Sequence, residues 1–74
     1  MSSRLLQTVV NRDCVKQALA QLSEYYRRIL YLAYNEGLTA KEIAKVESKT
    51  PYRVGQDLAK ARKAFRKAYQ KVCP

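Results

Sequence analysis

Leu38 to Phe65 reads LTAKEIAKVESKTPYRVGQDLAKARKAF, and this stretch decides the fold. Its apolar residues fall into two sets. Ile43, Ala44 and Val46 form the first and are expected to face inward. Val54, Leu58, Ala61 and Phe65 form the second, at steps of four, three and four. Such steps place side chains on one face of a helix. Each set also has its own start signal. Thr39 and Glu42 have capping-box spacing, so each can satisfy the other's orphan backbone donor. Thr50 is a good N-cap, and Pro51 follows at the first helical position, where no backbone donor is lost. Glu47, Ser48 and Lys49 are left to make the turn. A short helix, a tight turn and a longer second helix is the helix-turn-helix layout, whose second helix lies in the major groove of DNA.

Downstream, the second helix is expected to run from Pro51 to about Lys71, roughly 31 Å at about 1.5 Å per residue. Gly55 inside it costs up to about 1 kcal/mol relative to Ala. Close approach to a surface such as DNA is one reason to keep a glycine there, and plain tolerance is the other. Upstream, Gly37 offers a left-handed stop to a preceding helix. That helix starts at Ser23, an N-cap with Glu24 in the first turn, and buries Tyr26, Ile29, Leu30 and Ala33. Before it, Asp13 is a candidate cap, and Val15, Ala18, Leu19 and Leu22 follow at steps of three and four. Leu5, Leu6, Val9 and Val10 mark one more short apolar face. The expected fold is all-α, with four or five helices. Residues 1–12 form an N-terminal extension and residues 13–74 the helix-turn-helix domain.

The charge points the same way. The chain of 74 residues carries a formal charge of +9. Residues 1–39 hold five basic and three acidic residues, and residues 40–74 hold ten basic and three acidic ones. An excess concentrated on the second half suits a polyanionic partner, nucleic acid above all. There is no His and no C-x-x-C, which argues against a structural zinc site. Cys14 and Cys73, far apart in sequence, read as free thiols of a reducing cytoplasm. No apolar run approaches the roughly 20 residues that span a membrane, and the N-terminus lacks the pattern of a signal peptide. There is no Gly-rich phosphate loop, no nucleophile with a base, and no obvious carboxylate pair among Asp13, Glu24, Glu36, Glu42, Glu47 and Asp57. No enzyme activity, cofactor or small-molecule substrate is therefore expected.

Residues 22–65 resemble region 4 of bacterial sigma factors, especially the extracytoplasmic-function group. Leu22-Ser23-Glu24 is similar to that family's Leu-Pro-Glu opening. Arg27, Ile29, Leu30 and Leu32 sit where its Arg and apolar residues fall. Tyr34-Asn35-Glu36-Gly37-Leu38-Thr39 resembles Tyr-x-Glu-Gly-Leu-Ser, and Glu42-Ile43-Ala44 matches Glu-Ile-Ala. Val54, Leu58, Ala61-Arg62-Lys63-Ala64 and Phe65 follow its recognition helix. In primary sigma factors that helix starts Thr-Arg-Glu-Arg-Ile-Arg-Gln. Here Thr50, Arg53, Val54 and Gln56 keep part of the pattern, while Pro51 and Tyr52 replace an Arg and a Glu. The resemblance places Gln56 on a base-reading position and Arg53 on a DNA-contacting one. At the turn, Glu47-Ser48-Lys49 stands where the family has an apolar residue, Gly and Ile, which should weaken the packing between the two motif helices.

Tyr52, Arg53, Gln56 and Lys60 are the base-reading candidates, on one face opposite Val54, Leu58 and Ala61. Gln bonds adenine bidentately, and Arg bonds guanine or a phosphate. Lys41, Lys45, Lys49, Thr50, Arg62, Lys63, Arg66 and Lys67 are the phosphate candidates. Basic residues near a helix C-terminus also complement its dipole, which is the competing reading of the last four. Tyr25, Tyr26, Tyr31 and Tyr34 cannot all point inward, so one or more should be exposed. The resemblance implies promoter duplex DNA of the −35 type as target, RNA polymerase core as partner, and an anti-sigma protein as a further one, in the cytoplasm and without a membrane. Two alternatives stand beside it. One is a small helix-turn-helix regulator of another kind, akin to a quorum-sensing activator or a phage factor. The other is a protein-binding adaptor that has lost DNA reading, an idea favoured by Pro51, Tyr52 and Gly55 and by the apolar face of residues 5–10.

Overall fold

A computed structural model describes residues 12–73. The expected apolar face of Leu5, Leu6, Val9 and Val10 lies outside the described residues. Among the described residues four helices follow one another: α1 (Arg12–Ala20), α2 (Glu24–Tyr34), α3 (Ala40–Glu47) and α4 (Pro51–Val72). The described residues are all-α, as expected. Asp13 sits within the first turn of α1 and does not cap it.

Start and stop signals account for the other boundaries. Ser23, with extended backbone, accepts from the Tyr26 N–H and starts α2. Thr39 and Glu42 make the full capping box of α3, with the Glu42 carboxylate 2.8 Å from the Thr39 N–H. Thr50 accepts from the Arg53 N–H, and Pro51 opens α4. After α2 the chain turns through Gly37, at φ 70°, so that Leu38 N–H donates to the Leu32 carbonyl at 3.0 Å. The turn between α3 and α4 is shorter than the sequence suggests. Glu47 is still helical, and Ser48 alone takes the left-handed conformation, at φ 58°. Lys49 N–H then bonds the Ala44 carbonyl at 2.9 Å, closing the helix end.

α4 is the spine, and each of the other three helices packs on it. Ile29, Ile43 and Val54 are the largest fully buried side chains, one each from α2, α3 and α4. Each such side chain contributes about 1.5–3 kcal/mol on leaving water. Leu22, Leu30, Ala44, Leu58 and Ala61 complete the core cluster, with Tyr25, Tyr26, Ala33 and Phe65 half-buried against it. Val46 is not part of it, being 60% exposed. On a helix, Val46 lies about 110° from the middle of the Ile43–Ala44 face, whereas Glu47 lies close to that middle. Glu47 holds the inner position and pairs with Arg28 of α2 through two bonds of 2.8 Å. An ion pair therefore stands where an apolar plug was missing.

The cysteines also depart from expectation. Cys14 in α1 and Cys73 just past α4 form a disulfide across 59 residues of sequence, with Cα atoms 5.7 Å apart. They are not free thiols. α1 packs along α4, which brings the start of the domain to its end. The described chain measures 38 × 25 × 14 Å. Its longest dimension is comparable to α4, whose 22 residues span about 33 Å.

Candidate nucleic-acid interface

The first turns of α4 are held from below and open above. Val54, Leu58 and Ala61 anchor one side in the core. Tyr52, Arg53, Gln56 and Lys60, the four base-reading candidates, are all exposed, Tyr52 at 76%. At 100° per residue, Tyr52, Gln56 and Lys60 form a row along α4, and Lys63 and Lys67 continue it. Arg53 stands at the edge of that row, beside the core. The Gln56 amide donates to the Tyr52 hydroxyl at 2.9 Å, so these two neighbours brace each other.

The phosphate candidates separate into groups. Lys41 and Lys45 project from α3 and are exposed. Thr50 is exposed, but its hydroxyl is engaged as the α4 cap. Lys49 turns its ammonium over the Tyr25 ring, 5.0 Å from the centroid, a cation–π distance. Lys63 and Lys67 are exposed on the row just described. Arg62 and Arg66 point elsewhere, into a groove of about 390 Å³ between α1, α2 and α4. Its walls include Val15, Leu19, Leu30 and Phe65, and Arg62 donates to the Tyr34 hydroxyl at 3.3 Å on its rim. Tyr31 and Tyr34 are 53% and 63% exposed there, as the tyrosine spacing requires.

Sequence reasoning missed one residue of the site. Asp57 is 5% exposed, the single buried charged residue among those described. The Tyr25 hydroxyl of α2 donates to its Oδ2 at 2.7 Å, and Arg53 Nε donates to both oxygens at 3.2 and 3.4 Å. The signal was present: residues 54, 57, 58 and 61 follow the i, i+3, i+4, i+7 pattern of a single inner face, which makes position 57 inward. Burial first, then the hydrogen bond to Asp57 and its charge, push the Tyr25 hydroxyl up to about 12. Two carboxylates of the domain therefore act through neighbours: Glu47 ties α2 to α3, and Asp57 ties α2 to α4. The Arg28 bonds, more than its charge, hold the Glu47 carboxyl below the usual carboxylate range.

Among the described residues, no group of three or more His, Cys, Asp or Glu is placed to hold a metal ion. No described helix is long and apolar enough to cross a membrane. What the geometry offers is a compact helix pair with a polar, basic, outward row at the start of the second helix. That defines a helix-turn-helix domain of the DNA-binding class. The family description "Sigma-70, region 4" matches residues 12–65, and the chain belongs to that family. Neither a curated protein nor a solved structure matches it. Membership gives the chain a sigma-factor-like DNA-binding role in general, in a family of binding domains and not of enzymes.

Proposed function

We propose that this domain reads promoter duplex DNA of the −35 type with the first turns of α4, working with RNA polymerase core. The observation that carries the reading is the row of Tyr52, Gln56 and Lys60, exposed together with Arg53 on a helix start whose opposite face is fixed in the core. Lys63 and Lys67 extend the row and meet phosphates, with Lys41, Lys45 and Lys49 beside it; Arg62 and Arg66 serve the groove. The net charge of +7 over residues 40–74 supplies the sequence-independent part of the affinity. We assign the apolar groove with its arginine rim to a protein partner, the polymerase first and an anti-sigma protein as its competitor. The domain works in the cytoplasm in this reading.

The test is selection from random duplex DNA, followed by salt titration and a pull-down against RNA polymerase. With about four to six phosphates neutralised, log K should fall against log salt with a slope of roughly −4 to −5. Gln56→Ala should cost about 1–3 kcal/mol on the selected site and relax one base pair, while Lys63→Ala should weaken all sequences alike and flatten the slope by about 1. A chain that retains polymerase but binds no duplex at low salt is the protein-binding adaptor instead.

A further inference from the structure

A carboxylate is an unexpected group on a helix that meets DNA. It repels phosphates, and burying it costs free energy unless it is paired and hydrogen-bonded. Asp57 occupies an inner position of α4 beside Val54, Leu58 and Ala61, where an apolar residue would pack without that cost. Its carboxylate serves two partners, which share Oδ2, while Oδ1 accepts from Arg53 alone. The Tyr25 hydroxyl reaches it from α2 at 2.7 Å, a short bond. Arg53 reaches it from one turn earlier on α4, through Nε alone.

Tying α2 to α4 accounts for the first contact, and the second offsets the buried charge; what the second also does is act on Arg53 itself. Arg53 lies on the same helix as Asp57, so their pairing joins no two elements. It constrains one side chain that is otherwise 63% exposed. An exposed arginine loses rotamer entropy when it is fixed on a base, and fixing it beforehand removes part of that loss. The contact also leaves a defined edge. With Nε held, the two terminal amino groups have no hydrogen-bond partner among the described residues. They form the planar fork that matches O6 and N7 of guanine. Tyr25, the far end of the chain of bonds, is itself held. Arg28 and Lys49 lie over its ring at 5.8 and 5.0 Å, and Tyr26 packs at 6.1 Å between centroids.

We infer that Asp57, clamped by the Tyr25 hydroxyl, is a positioning residue that aims the free fork of Arg53 at a guanine edge in the major groove. The inference rests on the DNA-reading function of α4 and names how part of its specificity is set. Asp57 touches no base. It acts through Arg53, and Tyr25 acts through Asp57.

The experiment compares affinity of the full chain for its selected site and for scrambled DNA of equal length, with thermal unfolding measured on each variant. Arg53→Ala should lower the selected-to-scrambled ratio by roughly tenfold or more and relax preference at one G·C pair. Asp57→Asn and Tyr25→Phe should relax the same pair, by roughly three- to tenfold, with affinity for scrambled DNA almost unchanged. Arg53→Ala with Asp57→Asn should be no less selective than Arg53→Ala alone, because the two act as one unit. Tyr25→Phe removes a single hydroxyl and carries the comparison if Asp57→Asn does not fold. Equal weakening on both DNAs, or additive losses in the double variant, would make the network a structural tie and overturn the inference. An unchanged ratio in Arg53→Ala would also overturn it, while salt-dependent duplex binding by the parent chain keeps the DNA-binding reading. If the parent chain binds no duplex at low salt, that reading falls and the inference with it.

Discussion

At the residue scale, the domain uses two of its acids, Glu47 and Asp57, as ties between helices. Tyr25 and Asp57 are 32 positions apart and share one short hydrogen bond. That bond has a pH signature. Tyr25 keeps its proton in the folded state up to about pH 12, against an ordinary value of 10.0. A group whose folded pKa is raised contributes stability that is whole below its unfolded pKa and is lost as pH rises through the folded one. Stability should therefore fall between pH 10 and 12, where the unfolded chain releases the Tyr25 proton and the folded one still holds it beside the Asp57 carboxylate. Urea unfolding across that window checks it. The parent chain should lose more stability there than Tyr25→Phe, which has no proton to release. Glu47 makes the opposite tie, with its pKa lowered by Arg28. Charge pattern alone did not reveal either contact, since neither partner is near in sequence and both depend on where α2 comes to rest. Position 57 was legible as inward from its spacing, but the acidic side chain masked it.

At the element scale, the helices obey local rules closely, and two exceptions can be probed. Ser48 takes a left-handed conformation that costs an L-residue about 1–2 kcal/mol and suits glycine. Ser48→Gly should raise the unfolding free energy by roughly 0.5–1 kcal/mol without moving α3 or α4, as seen by a shifted denaturant midpoint at unchanged slope. Gly55 is the reverse case. It is exposed within α4, and a Cβ placed there would meet nothing within 4 Å. Gly55→Ala should stabilise the domain by up to about 1 kcal/mol. If the same substitution also weakens duplex binding, the glycine is there for close approach to DNA; if binding is unchanged, it is tolerated only. Calorimetry and a binding titration on one protein sample separate the two. Val46 shows the limit of pattern reading in so short a helix. Three apolar residues in a row of four do not settle which two face in, and the packing of α3 on α4 chose Ile43 and Ala44.

At the scale of the whole molecule, one covalent link and one groove organise the parts. The Cys14–Cys73 disulfide closes a loop of 59 residues and secures α1, of which Ala18 alone is fully buried, to the far end of α4. A loop of that length restricts the unfolded chain by an amount worth roughly 4 kcal/mol in the chain-entropy account. Reduction, or Cys14→Ser with Cys73→Ser, should lower the unfolding free energy by about 2–4 kcal/mol. The measurement is urea unfolding with and without dithiothreitol, and the double Ser variant should be indifferent to the reductant. Since α1 supplies Val15 and Leu19 to the groove, the groove depends on the same link for its wall.

The sequence by itself determined where α2, α3 and α4 begin, which class of fold the helices make, and which face of α4 stays exposed. Those features rest on caps, periodicity and chain reversals, all written within a few neighbouring residues: Thr39 with Glu42, Thr50 with Pro51, Val54 with Leu58. Tertiary structure alone decided that Cys14 meets Cys73, that Glu47 meets Arg28, and that Tyr25 meets Asp57. These pairs lie 59, 19 and 32 residues apart. Whether such groups come within bonding distance depends on the angles at which packed helices cross, and those angles follow from the fit of Ile29, Ile43 and Val54 in one shared core.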